Sequence, residues 1–309
     1  ITVGDNPATK DIVTVLKKCK LYDVVAKHNL KIVNGSDLIT IKNPEPKIYS
    51  QFEVSREMIE VDLLVNLPKL KTHSLTYMTA AEKNLFGMIY GLSKAGWHVR
   101  ANNPLQFGEA LNDLYGAILN AYKGRKMLHI CDGILGLEGE GPGTSGKPKA
   151  AGVILASSDA VSLDRVAAEV CSLDPEKIFV TKIAQERKYG EGNLNNIEVV
   201  GEKIESFKDL KFQEPVNPTS SFGLRLLKYK VLRNLLLEHP KINHERCLKC
   251  GECAKICPPK AMKYTHGQFP HLHSKDCIRC WCCAEVCPKN AILKTKRPLI
   301  GRIALKNRD

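Results

Sequence analysis

Two cysteine-rich stretches decide how the C-terminal part of this chain folds. Residues 247–258 read CLKCGECAKICP, and residues 277–288 read CIRCWCCAEVCP. Each stretch has the spacing C-x2-C-x2-C-x3-C-P, and the flanking residues align as well, so each reads as one copy of a duplicated unit. Three closely spaced thiolates can wrap one face of a cuboidal iron–sulfur cluster, whereas the fourth cysteine is carried away from that face. The spacing therefore predicts two [4Fe-4S] clusters held by eight cysteines.

The same spacing is typical of bacterial two-cluster ferredoxins, in which the fourth cysteine of each run ligates the other cluster. By that rule the ligands form two crossed sets. The first set is Cys247, Cys250, Cys253 and Cys287. The second set is Cys277, Cys280, Cys283 and Cys257. A pair of zinc sites is the alternative interpretation, but a tetrahedral ion usually takes two pairs of ligands rather than two runs of four.

Two residues of the second run depart from the simplest pattern. Trp281 and Cys282 stand where the first run has Gly251 and Glu252, so Cys282 is a ninth cysteine without a ligand position. One interpretation is that Trp281 shields a cluster from water, which shifts its potential, and that Cys282 takes no part. The other is that Trp281 marks the surface where a redox partner docks, since exposed tryptophans favour interfaces.

Positive charge is concentrated in the same part of the chain. The 309 residues carry a net charge of +13. From residue 220 onward there are 19 Lys and Arg against 6 Asp and Glu, and the earlier part holds 27 of each sign.

With no secretory leader in view, the dense cysteines favour metal binding in a reducing compartment, and we expect a cytoplasmic protein. Because the chain begins at Ile1 and enters a turn at once, we suspect that an N-terminal segment is missing.

The first two hundred residues alternate helical and strand patterns. The predicted helices are 11–19, 21–28, 104–122 and 161–170. The predicted strands are 31–33, 61–65 (buried), 127–131, 153–156 and 197–200. Alternation of this kind predicts an α/β domain with a mostly parallel sheet, followed by a small α+β ferredoxin-like domain. The expected boundaries are 1–219 for the α/β domain, 220–241 for a linker helix and 242–309 for the ferredoxin-like domain with its basic tail.

Two predicted loops at the ends of strands carry polar side chains that are suited to chemistry. Such loops gather at the carboxyl ends of parallel strands, where α/β sheets bind ligands. The first loop contributes Lys69, Lys71, His73 and Lys83. The second loop is glycine-rich and contributes Asp132 and Glu138. Its glycines fit neither G-x-G-x-x-G nor a Walker loop, so dinucleotide binding finds little support.

Three stretches resemble the domain-of-unknown-function 362 family. They read PKLKTHSLTYMTAAEKNLFG from residue 68, DGILGLEGEGP from residue 132 and ASSDAVSLDRVA from residue 156. Members of this family often carry a C-terminal two-cluster ferredoxin with a similar Cys-Trp-Cys-Cys variant. The resemblance covers most of residues 4–201. It implies an iron–sulfur protein of largely anaerobic metabolism without a settled substrate.

The polar loop residues allow two interpretations. In one, the lysines and His73 form the floor of a pocket for an anionic small molecule such as a carboxylate or phosphate, and His73 titrates near neutral pH. Asp132 and Glu138 would then act as acid or base, or bind a hard cation. In the other, the lysines are solvated, His73 caps a turn and the glycines let the chain bend. Four further histidines, His98, His266, His271 and His273, match no metal spacing and are interpreted as surface or packing residues.

Residues 221–240 predict a basic amphipathic helix between the two modules. We expect its apolar stripe to dock against protein, with a membrane surface as the lower-ranked alternative. Because two oxidised clusters with their thiolates carry about −2 each, the module stays positive when loaded. An acidic redox protein of the ferredoxin or flavodoxin type is therefore the expected partner. Nucleic acid ranks lower, since the positive charge surrounds clusters rather than a recognition helix.

These patterns leave three functions open. The first is an electron-transfer protein, free or as a subunit of a larger redox complex. The second is an oxidoreductase whose α/β domain binds an anionic substrate and receives electrons from the clusters. The third is a scaffold or maturation factor for another metalloenzyme. The first is favoured, because nothing in the sequence supplies the two-electron cofactor that most reductases need.

Overall fold

The structure is a computed structural model of the whole chain. It describes residues 1–7, 10–91, 93–101, 103–141, 146–215, 239–295 and 298. The N-terminal domain and the cysteine-rich module are both described, apart from short gaps and the basic tail. The amphipathic helix expected at 221–240 falls almost entirely outside the described residues, so it stays a prediction.

The N-terminal domain alternates short strands and helices, as the sequence predicts. Its strands are β1 Thr2–Gly4, β2 Lys31–Val33, β3 Leu38–Lys42, β4 Gln51–Ser55, β5 Leu63–Asn66, β6 Lys69–His73, β7 Tyr77–Thr79, β8 Lys126–Gly139 and β9 Gly146–Ser157. Its helices are α1 Ile12–Lys18, α2 Tyr22–Lys27, α3 Arg56–Ile59, α4 Ala81–Asn84, α5 Ser93–Arg100, α6 Pro104–Ala121, α7 Ala160–Val170 and α8 Phe179–Glu186. Short 3-10 turns lie at Leu85–Met88, Pro175–Lys177, Leu194–Asn196 and Ile204–Phe207. The four helices predicted from periodicity are all present, with ends shifted by a residue or two.

The central sheet is mixed rather than mostly parallel. Strands β5 and β6 follow one another along β8 and are both parallel to it, with Leu63 opposite Lys126 and Lys69 opposite Asp132. Strand β7 returns antiparallel to β6, and β9 returns antiparallel to β8. Two pairings are therefore parallel and two antiparallel. The expectation of an α/β domain is met, and the expectation of a parallel sheet is met only where β5 and β6 pair with β8.

The glycine-rich stretch predicted as a loop is largely strand. It forms the end of β8 and the start of β9, which together make a long hairpin. A Cβ at Gly141 would lie 2.0 Å from the carbonyl oxygen of Thr72, and a Cβ at Gly133 would lie 2.7 Å from the side chain of Val153. These glycines therefore allow the strands to approach closely, rather than forming a cradle for a ligand.

Helix α6 lies at the centre of the hydrophobic core. Asn103 caps its first turn by accepting a hydrogen bond from the backbone of Gln106, and Pro104 occupies the first helical position. The helix packs against β3 and β4 on one side and α8 on another, so residues on all its faces are buried. Burial of a side chain such as Phe107 stabilises the fold by about 1.5–3 kcal/mol. Helix α7 covers β9 and completes this layer.

One strand prediction fails in the N-terminal domain, and a second is wrong in its burial. The strand expected at 61–65 begins at Leu63, and its alternate residues Leu63 and Val65 are 48% and 43% exposed rather than buried. Residues 197–200 pair with no strand in the described part of the chain. In both cases local β-propensity favours a strand. The tertiary surroundings of each run, which the propensity does not report, determine its burial and pairing.

The cysteine-rich module consists of two similar halves. Its elements are β10 Pro240–Ile242, α9 Glu252–Lys255, β11 Met262–Lys263, β12 His271–Leu272, α10 Cys282–Glu285 and β13 Ile292–Lys294. Strand β10 pairs antiparallel with β13, and β11 pairs antiparallel with β12. In each half, a cysteine loop leads into a four-residue helix and then a short strand. This small α+β arrangement agrees with the expected ferredoxin-like domain.

One ion pair joins the module to the N-terminal domain. Lys10 Nζ lies 3.5 Å from Glu252 Oε1, and Lys255 Nζ lies 3.0 Å from the same oxygen. Glu252 is buried and directly precedes Cys253 in α9.

Among the helices described, none is both long and apolar enough to span a membrane.

Candidate metal centre

Left-handed backbone turns shape each cysteine loop. Lys249 and Gly251 have φ angles of 52° and 73°, and the equivalent Arg279 and Trp281 have φ angles of 62° and 59°. Such angles are rare for residues other than glycine, and they bend the chain sharply between successive cysteines. The repeated bends are the local reason why three cysteines close in sequence can face one point.

The first predicted ligand set surrounds a single cavity. The cavity is small and open to solvent. Its lining includes Cys247, Cys250, Cys253 and Cys287. Three of these belong to the first run and Cys287 belongs to the second, so the structure places together the four cysteines that the crossed arrangement requires.

The second predicted set is also grouped, at the junction of α9 and α10. Burial, followed by the negative charge of neighbouring thiolates, raises the pKa of Cys283 well above its usual value. Those neighbours are Cys280, Cys277, Cys253 and Cys257. Cys257 interacts in the same way with Cys280 and Cys277. The fourth cysteine of the first run therefore lies near the first three of the second run.

Backbone amides support the fourth cysteine of each run. The amide of Met262 donates a hydrogen bond to Cys257 Sγ at 3.3 Å, and the amide of Ala291 donates to Cys287 Sγ at 3.2 Å. The amide of Lys249 also donates to Cys247 Sγ at 3.4 Å. An N–H donor favours the thiolate over the thiol, which is the form that binds metal.

The donor set of the first site fits a [4Fe-4S] cluster, which four cysteine thiolates hold. Burial, and then repulsion from Cys250, Cys247 and Cys287, raises the pKa of Cys253 to about 12. Four thiols held this close need positive charge among them before all can ionise, and iron supplies it. Four sulfurs around an open cavity suit a group with several metal atoms.

Cys282 lies outside both sets. It is buried and packs against Ile256, and its Sγ lies 3.9 Å from the carbonyl oxygen of Cys280. At this distance the thiol is placed to donate a weak hydrogen bond to the carbonyl oxygen, which favours the protonated thiol over the thiolate. This geometry favours the prediction that Cys282 is not a ligand. The neighbouring Trp281 is half-buried.

Lys69 and Asp132 form an ion pair at the surface. Lys69 Nζ lies 2.8 Å from Asp132 Oδ2, and the two side chains are 47% and 53% exposed. The hydrogen bond from Lys69 lowers the pKa of Asp132. A carboxylate held ionised by an exposed lysine is poorly suited to act as a general base, because its basicity is reduced.

His73 caps a turn, as the second interpretation of the sequence states. Its Nδ1 accepts hydrogen bonds from the backbone amides of Leu75 at 3.0 Å and Thr76 at 3.3 Å, and its side chain is buried. Lys71 is half-buried and lies on the same face of β6, since side chains alternate along a strand. His73 therefore has a clear structural role between β6 and β7.

The last two candidates, Lys83 and Glu138, contact aromatic rings and a backbone amide respectively. Lys83 Nζ lies 5.7 Å from the ring centroid of Phe86 and 5.8 Å from that of Phe107, which are cation–π distances. Glu138 accepts a hydrogen bond from the backbone amide of Gln213 at 2.8 Å. This contact holds the segment before residue 215 against β8.

The extra histidines do not form a metal site in the described residues. The rings of His271 and His273 meet edge to face with centroids 5.3 Å apart, and both side chains are exposed. His266 is exposed, and the side chain of His98 falls outside the described residues. This agrees with the interpretation of the trio as surface residues.

Three buried polar residues were not singled out from the sequence. Asp164 accepts hydrogen bonds from the backbone amides of Ala81 at 2.6 Å and Glu82 at 3.1 Å, which ties α7 to the start of α4. Burial raises the pKa of Asp164 to about 7 and that of Glu82 well above its usual value. Burial also lowers the pKa of His129 to about 4. For Glu82 and Asp164 the sequence carries a signal, since AEKN and SLDR lie in two of the family-like stretches, whereas His129 lies in none of them.

The comparisons with known proteins agree with this division into two modules. Residues 239–288 match the 4Fe-4S dicluster domain, which together with the cysteine geometry makes this an iron–sulfur protein of the ferredoxin-like class. Residues 1–169 match the model described as Domain of unknown function (DUF362), so the chain belongs to that family. The family expected from the three sequence stretches is thereby confirmed.

A curated relative covers part of the chain. The protein named Thylakoid-associated protein sll1697, from Synechocystis sp. (strain ATCC 27184 / PCC 6803 / Kazusa), is 40% identical over 140 residues. The match includes 45% of this chain and 41% of the relative. The chain thus spans about two fifths of the relative's length in the matched region, and the relative's name assigns no reaction.

Proposed function

We propose that this protein passes single electrons through two [4Fe-4S] clusters, either as a free carrier or as a subunit of a larger redox complex. The observation that carries the proposal is the convergence of Cys253 from the first run and Cys287 from the second on one cavity. That crossing is the arrangement that the cysteine spacing requires for two clusters. The ligands proposed are the two crossed sets named above.

The chain's own residues would hold and tune these clusters. When bound, a [4Fe-4S] cluster supplies one-electron chemistry. The amides of Met262 and Ala291, which donate to Cys257 Sγ and Cys287 Sγ, reduce the electron density on those ligands. Hydrogen bonds to ligand sulfurs raise reduction potential, because they stabilise the more negative reduced state.

We further propose that the redox partner is an acidic protein of the ferredoxin or flavodoxin type. Among the described residues of the module, the exposed cations are Lys241, Arg246, Lys249, Lys255, Lys260, Lys263, Lys275 and Lys289. The exposed carboxylates there are Glu245 and Asp276. A surface with this excess of positive charge accelerates encounter with an acidic partner.

The surface beside the first cavity suits docking best. Leu248 is 59% exposed and Phe269 is 37% exposed. Lys249 Nζ lies 4.4 Å from the ring centroid of Phe269, and Leu248 and Lys289 line the cavity itself. Apolar side chains rimmed by cations, next to a cluster site, offer both contact area and steering. Trp281, the other docking candidate, is less exposed than Leu248.

The geometry does not favour the oxidoreductase alternative. Lys69 is paired with Asp132, His73 caps a turn, and Lys83 contacts aromatic rings, so these residues have separate structural roles.

For the compartment we propose the cytoplasm, because a reducing environment preserves cysteines for metal ligation.

The test is electron transfer from anaerobically reduced holoprotein to an acidic flavodoxin, followed by stopped-flow absorbance. The rate should fall as ionic strength rises, because salt screens the attraction between the two proteins. Lys249→Glu should slow transfer more than Lys241→Glu, which makes the same charge change on β10. A rate that is independent of ionic strength contradicts the acidic partner. Clusters that cannot be reduced and reoxidised without iron loss contradict electron transfer itself.

A further inference from the structure

Strand β9 presents an unpaired edge. It is hydrogen-bonded to β8 on one side, and no other strand in the described ranges pairs with it. Nor does any other backbone hydrogen bond of the described residues involve β9. Alternate N–H and C=O groups of a strand point away from its neighbour. Beyond the irregularity at Gly152, which has a φ of 68°, the outer edge of β9 from Val153 to Ser157 therefore offers donors and acceptors at regular spacing.

An open groove runs along part of this edge. It is open to solvent, and its lining includes β9 residues 152–157 together with residues 197–202. Its apolar lining includes Leu163, Val166, Val170, Ile204 and Phe207. The lining therefore combines apolar side chains with part of an edge strand.

A second segment of the lining, residues 197–200, is strand-prone but unpaired among the described residues. Residues 197–200 read Ile-Glu-Val-Val, a β-prone run, and Ile197 has extended backbone with φ −97° and ψ 115°. Val200 is 88% exposed, and this segment pairs with no described strand. A strand-prone segment and an unpaired sheet edge thus contribute to the lining of the same groove.

The charge of the groove differs from that of the rest of the chain. Glu198 and Glu202 are the charged residues of its lining, and no Lys or Arg is among the residues that line it. Both carboxylates are exposed, and no described cation forms an ion pair with either. In a chain of net charge +13, an acidic rim favours a ligand that carries positive charge.

We propose that this groove binds an extended peptide segment of a partner protein, which adds to the edge of β9 as a further strand. Backbone hydrogen bonds to β9 would supply affinity, as in other cases where a peptide extends a sheet. Alternate apolar side chains of the peptide lie against α7 and Phe207. The intervening basic side chains lie beside Glu198 and Glu202. The regular β9 residues in the groove, 153–157, match a peptide of about five or six residues.

The probe is a fluorescein-labelled peptide of sequence Lys-Val-Lys-Val-Lys-Val, titrated into the full holoprotein and followed by anisotropy. Two control peptides are N-methylated on alternate backbone nitrogens, one on the valines and the other on the lysines. Because one alternating set of amides faces β9, one control should bind at least about ten-fold more weakly. Peptide binding should also slow hydrogen exchange of β9 amides between residues 152 and 157.

Protein variants test the acidic rim. Glu198→Lys combined with Glu202→Lys should weaken peptide binding about ten-fold at low ionic strength. Glu205→Lys, which changes an exposed carboxylate outside the groove lining, should leave it unchanged. Three results would overturn the proposal: no saturable binding up to millimolar peptide, equal binding of both N-methylated controls and the parent, or a dimer formed through β9 that the peptide does not disrupt.

Discussion

Gly251 and Trp281 occupy equivalent positions in the two halves of the ferredoxin-like module, and both have left-handed backbone, with φ angles of 73° and 59°. A Cβ at Gly251 would lie 2.5 Å from the ring of Tyr264. The second half instead carries its aromatic ring on Trp281 itself. Each half therefore has an aromatic ring at this turn, from Tyr264 in the first half and from Trp281 itself in the second. Only the first half needs a glycine there, because its ring comes from a different residue.

Replacement of Gly251 tests this packing. We expect Gly251→Ala to destabilise the holoprotein by more than the roughly 1–2 kcal/mol that left-handed backbone costs an alanine, since the Tyr264 ring must also move. Gly267→Ala is the matched control, because Gly267 has a φ of 78° and a Cβ there meets no atom within 4 Å. Anaerobic thermal unfolding measures both. Equal unfolding temperatures for the two variants would show that Tyr264 does not restrict the site.

Replacement of His73 separates a structural role from a catalytic one. His73→Ala removes the acceptor of two backbone hydrogen bonds in a buried turn, so we expect a loss of about 1–3 kcal/mol in unfolding free energy. Cluster spectra and the rate of electron transfer should be unchanged. His28→Ala, at an exposed histidine, is the control for both readouts. If His73→Ala abolished transfer while the spectra stayed intact, the oxidoreductase alternative would replace the carrier.

His129 predicts a specific dependence of stability on pH. Its Nδ1 lies 2.9 Å from Asn66 Nδ2, and burial lowers its pKa to about 4 from 6.5. Since the unfolded chain binds this proton more tightly, the stabilisation is complete above pH 6.5. It is lost progressively as pH falls from 6.5 towards 4, by up to about 1.4 kcal/mol per unit.

Denaturant unfolding of wild-type holoprotein and His129→Gln between pH 7.5 and 5.5 measures this effect. The difference between the two curves should change by about 1 kcal/mol over that range. The raised pKa values of Glu82 and Asp164 act in the opposite direction, but they act in both proteins and largely cancel in the difference. Parallel curves would mean that His129 is protonated equally in the folded and unfolded states.

The sequence predicts the module better than the N-terminal domain, for a physical reason. The positions of Cys247, Cys250 and Cys253 are set by a few local turns, so their spacing carries most of the geometry. The pairing of 197–200 depends instead on whether a distant segment reaches it, and local β-propensity does not report that. The side chains of Lys69 and His73 have partners that only the tertiary structure reveals.

The glycines illustrate the same limit. A glycine-rich stretch reads equally as a flexible loop or as strands in close contact. The proximity of Gly141 to Thr72, which decides between them, arises between residues far apart in sequence. By contrast, the helix Pro104–Ala121 is predicted well, because its apolar residues recur at helical spacing along the sequence itself.

Iron analysis of paired cysteine variants tests the central claim most directly. Wild-type protein purified without oxygen should hold about eight iron atoms, since each cluster contains four. Because Cys253 and Cys287 belong to the same proposed set, Cys253→Ala with Cys287→Ala should keep about four iron atoms and one reduced-cluster signal in electron paramagnetic resonance. Cys283→Ala with Cys287→Ala should lose both clusters, and Cys282→Ala should retain both. The reverse pattern, in which the Cys283 and Cys287 pair keeps a cluster and the Cys253 and Cys287 pair keeps none, would contradict the crossed arrangement.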